Sequence, residues 1–63
     1  MITVRGLVAS VKKTKNGKNN YMLVLSNNNI VFLITDKNYE LMKVIEVTVS
    51  SYVARDNRLY LIE

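Results

Sequence analysis

The sequence predicts an all-β domain, a small five-stranded barrel with little or no helix between its third and fourth strands. Three observations carry that expectation. Apolar and polar residues alternate with a period of two, most cleanly from Val44 to Val53. Turn chemistry punctuates the apolar runs at Asn16-Gly17, Asn27-Asn28-Asn29 and Asp56-Asn57. The first run is long and its apolar residues change face partway along, as a strand must when it bends and serves both halves of a closed sheet.

Strand one is expected over Ile2–Lys12, with Ile2, Val4 and Val8 on one parity and Leu7, Ala9 and Val11 on the other, and with the bend at Gly6. Lys12–Asn20 then forms a loop around Asn16-Gly17, a strong hairpin signal. Strand two follows over Tyr21–Ser26, and three asparagines, which tolerate the left-handed backbone conformation, turn the chain into strand three, Ile30–Thr35. Strands two and three are apolar on both parities, so something must cover each of their faces. Asp36–Lys43 is polar and lacks β-branched residues, which predicts a loop with at most one helical turn around Tyr39–Met42. In strand four, Ile45, Val47, Val49, Ser51 and Val53 should face in and Tyr52 out. A turn over Ala54–Asn57 leads to strand five, Arg58–Glu63, with Leu59 and Leu61 inward and Tyr60 outward.

At 63 residues the chain makes one domain, spanning 1–63. Folding at this size buries only about 60% of the surface exposed by the unfolded chain, so the core is thin. With no Cys and no His, neither disulfides nor a structural zinc reinforce it, and a homodimer is the remaining way to enlarge it. No segment reaches the roughly 20 apolar residues needed to cross a bilayer and no secretory signal is visible, so no membrane partner and a cytoplasmic location are expected. A net charge of +4 and a pI near 9.6 point to an acidic partner. The alternative is that the charge serves solubility alone, and position separates the two: Lys12, Lys13, Lys15 and Lys18 cluster on one loop.

The chain is not expected to be an enzyme and no cofactor is expected. Its five carboxylates, Asp36, Glu40, Glu46, Asp56 and Glu63, are scattered, and two glycines cannot build a phosphate-cradling loop. The same lack of His and Cys argues against a transition-metal site.

The order GLVASVKKTKNGK, LVL, an Ile-led third strand, Tyr39-Glu40 and ARDNRLYLI resembles the nucleic-acid-binding OB domains of the tRNA anticodon-binding type. The nearest likeness is to the OB domain of the large subunit of bacterial replicative DNA polymerase. Related domains precede the catalytic core of aspartyl-tRNA synthetase and form part of the exonuclease VII large subunit. The chain departs from them in carrying Asn27–Asn29 where Asp-x-x-Gly is usual, and in leaving little room for a helix between strands three and four.

The resemblance implies a non-enzymatic protein that binds single-stranded nucleic acid with low sequence specificity, with DNA first and RNA second. The strand would cross the outer face of strands two and three between two basic loops. Those loops carry Lys12, Lys13, Lys15 and Lys18 on one side and Arg55 and Arg58 on the other, with Arg5 a further phosphate contact from strand one. Flexible ammonium groups suit an irregular phosphate backbone, and flat side chains suit bases. The family's register would show Met22, Val24, Val31 and Leu33 on the outer face and turn Phe32 inward; a shift of one residue brings out Tyr21 and Phe32 instead. Tyr52 and Tyr60, on outward parities, are further stacking candidates, and Tyr39 is expected to cap an open barrel end. A free-standing domain this small is expected of a virus, phage or plasmid, acting in the host cytoplasm. A protein-interaction or dimerisation module, using the apolar outer face of strands two and three, is the alternative function.

Overall fold

A computed structural model describes all residues, 1–63. It contains six strands and no helix: β1 (Ile2–Lys13), β2 (Asn19–Leu25), β3 (Ile30–Thr35), β4 (Val44–Val49), β5 (Ser51–Arg55) and β6 (Arg58–Ile62). They form one strongly curled sheet in the order β4-β1-β2-β3-β6-β5. All neighbours are antiparallel except β3 and β6, which run parallel through Phe32↔Tyr60, Leu33↔Leu61 and Ile34↔Ile62.

Six strands replace the expected five because Val44–Val53 is interrupted at Ser50. Ahead of the break β4 pairs with β1, and beyond it β5 pairs with β6, so the two edges of the sheet are joined through one residue. Reaching both neighbours forces the run to bend, and the bend flips its parity. Val47 and Val49 are buried in the core, but Val53 lies opposite Tyr60 on the outer face and is exposed, against the expectation that it and Ser51 point inward. Counted as one interrupted strand, β4 and β5 restore the five-stranded, partly open Greek-key barrel.

β1 serves both halves of the barrel, pairing with β4 through Ile2–Leu7 and with β2 through Gly6–Lys13. Gly6, which with Leu7 pairs on both sides, is packed closely enough that a Cβ would lie 3.1 Å from the Val24 carbonyl oxygen and 3.1 Å from Leu25 Cδ2. The face change occurs slightly later, at a bulge between Val8 and Ser10 that leaves Ala9 unpaired. Val8 therefore faces the core, Ser10 and Lys12 face outward, and the freed Val8 backbone pairs with the far loop: its N–H donates to Lys43 O (2.9 Å) and its carbonyl accepts from Met42 N–H (2.7 Å).

The core consists of Val8, Tyr21, Leu23, Val31, Leu33, Val47, Val49 and Leu61, one or two residues from each of five strands. Tyr39, from the Asp36–Lys43 loop, plugs one end. Its ring meets Tyr21 edge-on with centroids 5.4 Å apart, its backbone N–H donates to the Tyr21 hydroxyl (2.8 Å), and its own hydroxyl donates to Glu63 Oε1 (2.8 Å). Thr35 Oγ1 donates to the same oxygen (2.8 Å) and Lys37 Nζ reaches Glu63 Oε2 (3.2 Å). Burial works to raise the Glu63 pKa, but hydrogen bonds from Thr35, Tyr39 and Lys37 and the Lys37 charge together hold it below the ordinary carboxylate value. Burial first, then the hydrogen bond and charge of Glu63, push Tyr39 up to about 12.

The turns at the two basic ends use different chemistry. At the lysine loop, Gly17 N–H donates to Thr14 O (3.0 Å), Thr14 N–H to Lys18 O (2.8 Å) and Lys18 N–H to Thr14 Oγ1 (3.1 Å), with Gly17 at φ 80°. That is a three-residue hairpin loop closed by a left-handed glycine. Asp56 and Asn57 both have positive φ, 53° and 63°, and so make a two-residue turn between Arg55 and Arg58.

Candidate nucleic-acid interface

Pairing register decides which side chains share the outer face. Through β2, β3, β6 and β5 it aligns Met22, Phe32, Tyr60 and Val53 in one cross-strand row. Ser10 extends that row onto β1. A second row runs Lys12, Asn20, Ile34, Ile62 and Ser51. The Phe32 and Tyr60 rings lie 5.2 Å apart at an interplanar angle of 27°, and the Arg58 guanidinium sits 5.4 Å from the Phe32 centroid. Beside them Ile34, Ile62, Val53, Tyr60 and Arg55 enclose a cleft of about 210 Å³. A half-exposed apolar floor of this kind, edged by guanidinium groups, suits the face of a planar ring.

Several expectations are corrected by this register. Val31 and Leu33, outside in the first of the two expected registers, are buried in the core, and Phe32 is outside, as in the register shifted by one. Strand two faces as expected while strand three is one residue out of the expected register, because Leu33 pairs with inward-facing Leu61 and with Tyr21. Tyr21 accordingly stays inside, 3% exposed, and its hydroxyl is occupied by Tyr39 N–H and by Lys37 O at 3.4 Å. It leaves no ring face for a ligand. Tyr52 is 58% exposed but pairs with Leu61, so it lies on the opposite side of β5 from Tyr60 and outside the aromatic row.

The cations fall at the two ends of this floor. Lys12, Lys13 and Lys15 are exposed at the β1–β2 end, while Arg55 and Arg58 flank the β5–β6 turn at the other. Of the nine lysines and arginines only Lys18 (3.9 Å from Asp36 Oδ2) and Lys37 pair with a carboxylate. The remaining charges of both loops face solvent without a counter-charge in the chain. Arg5 stands apart from both groups, on the β1 face opposite Glu46.

Residues missed in the sequence are Asn20, Ile34 and Ile62, which complete the floor. Asn20 reads as part of a polar loop in sequence, yet it pairs with both Lys12 and Ile34, and its Oδ1 is buried without a hydrogen-bond partner. Ile62 shares the outward parity of Tyr60, and the β3–β6 register places Ile34 beside it. Comparison with protein-family models, curated proteins and solved structures finds no match to this chain.

Proposed function

We propose that the chain binds single-stranded nucleic acid, non-enzymatically and with little sequence preference, across the outer face of β2, β3 and β6. The observation that carries this reading is the stacked, half-buried Phe32–Tyr60 pair with Arg58 against it, set between two groups of cations of which only Lys18 is paired with a carboxylate. Lys12, Lys13, Lys15 and Lys18, at and beside the β1–β2 turn, and Arg55 and Arg58, flanking the β5–β6 turn, capture the phosphates. Bases stack on the Phe32–Tyr60 floor, where each is worth about 1–3 kcal/mol and any base serves, since all have a π-face. The likeness of the sequence to OB domains of the anticodon-binding type supports the same face and places DNA ahead of RNA. Strands of six or seven residues span about 20 Å, room for a few nucleotides.

Titration against poly-dT, poly-rU and duplex DNA over a range of salt tests the proposal. With about four phosphates engaged, log affinity falls against log salt with a slope near −3 on single strands. Absence of oligonucleotide binding at low salt overturns it.

A second reading is favoured by a separate observation. Ile30, Val44 and Val53 are 49%, 59% and 43% exposed, and β5 packs only on β6, leaving its other edge unpaired. An apolar surface with a free edge also suits a second copy or another protein. Sedimentation of the protein without nucleic acid distinguishes this reading, since a dimer should form there and survive high salt.

A further inference from the structure

Away from the aromatic floor, β1, β2 and β4 enclose a groove of about 390 Å³ against the Ser26–Asn28 turn. Its base is apolar, formed by Leu7, Val24 and Val44, which lie side by side on the outer face through the pairs Leu7↔Val24 and Leu7↔Val44. Its rim holds Arg5, Ser26 and Asn28. None of those three side chains makes a hydrogen bond or ion pair within the chain, although Glu46 is the cross-strand neighbour of Arg5. No acidic residue lines the groove.

A volume above 300 Å³, a mostly apolar wall and a few convergent polar groups are the features of a small-molecule subsite. An unpaired guanidinium at the rim suits an anion, since its planar fork matches the oxygens of a phosphate or a carboxylate, and the proposed strand supplies phosphates. The groove also continues the outer face. Val24 follows Met22 by two residues on the same side of β2, a step of about 6.8 Å.

Resting on the proposed function, we infer that the groove is a second subsite for the same strand, taking one further nucleotide: its base against Leu7, Val24 and Val44, its phosphate on Arg5, and its sugar or base edge at Ser26 and Asn28. The strand therefore runs past the Phe32–Tyr60 floor toward β1 and β4, and the footprint is longer than the floor alone provides.

Oligo-dT of about four and about eight nucleotides, within or near the range held by one such barrel, tests this on the wild-type protein, Arg5→Gln and Val44→Asp. Both positions are exposed, and Val44→Asp places a carboxylate in the groove beside Arg5 without touching Phe32 or Tyr60. The short oligomer should bind all three proteins alike. The long one should gain affinity on the wild type, and both variants should lose about tenfold of that gain, with the Arg5→Gln salt slope shallower by about 0.7. Equal gains from length in all three proteins overturn the subsite and leave the floor standing. Failure of the wild type to bind either oligomer overturns the floor and the groove together.

Discussion

Two aromatic pairs lie on opposite faces of the same sheet and do opposite things. Tyr21 and Tyr39 meet edge-on at 5.4 Å inside the barrel end, and both hydroxyls are hydrogen-bonded within the chain. Phe32 and Tyr60 stack at 5.2 Å outside it, with Arg58 against the Phe32 ring and no carboxylate on the nearby cations. The inner pair has satisfied its polar groups internally and so stabilises. The outer pair leaves ring faces and positive charge toward solvent, which is where a ligand can gain something the fold does not already have.

Substitutions that treat the two pairs alike should break this comparison most visibly. Tyr21→Ala removes a buried ring and the acceptor for Tyr39 N–H; at about 3–5 kcal/mol for a large buried aromatic, a domain this small should lose its cooperative thermal transition. Changing Lys12, Lys13, Lys15 and Lys18 together to Gln should leave the melt nearly unchanged. It should also weaken oligo-dT binding about a hundredfold at low salt and flatten the salt slope by about 2 to 3 units, read by fluorescence anisotropy. Unaltered affinity in that variant would mean that the loop is only a solvated turn. Phe32→Ala should reduce affinity about tenfold or more through lost stacking, with a smaller stability cost than Tyr21→Ala because its ring is only partly buried.

The inner network adds a pH signature of its own. The Glu63 pKa is depressed in the folded state, so the folded protein binds that proton more weakly than the unfolded chain. Its contribution is present above the unfolded value near 4.5 and is lost as pH falls through the folded one. Tyr39 is raised from 10.0 to about 12, so its contribution is complete below pH 10 and disappears between there and 12. Thermal melts across pH should show both shoulders, and Glu63→Gln should remove the acid one. The smallest effect is expected at Gly17→Ala. Nothing lies within 4 Å of an added Cβ there, so only the φ of 80° is strained, at about 1 kcal/mol in a denaturant melt.

Much of the fold was legible because it rests on short-range rules. The bounds of β3 and the Asp36–Lys43 loop, the hairpin at Asp56-Asn57 and the shared role of β1 follow from alternation and turn residues. The site was legible as charge, since Lys12, Lys13, Lys15, Arg55 and Arg58 lie near turns that expose them whatever the register. It was not legible as surface. Strands apolar on both parities, such as Tyr21–Leu25 and Ile30–Ile34, carry no internal mark of which side is in.

The sequence by itself determined the all-β class, the order of the strands along the chain and the placement of cations on two loops, because alternation, turn preference and charge are properties of neighbouring residues. Only the tertiary structure decided that Phe32 faces out while Tyr21 faces in, that Ser50 splits one strand into two, and that Arg5 belongs to a groove of its own. Each of those depends on which distant strand supplies the pairing partner. The parallel β3–β6 register orients Phe32, the competing demands of β1 and β6 bend the chain at Ser50, and the Ser26–Asn28 turn closes the groove beside Arg5.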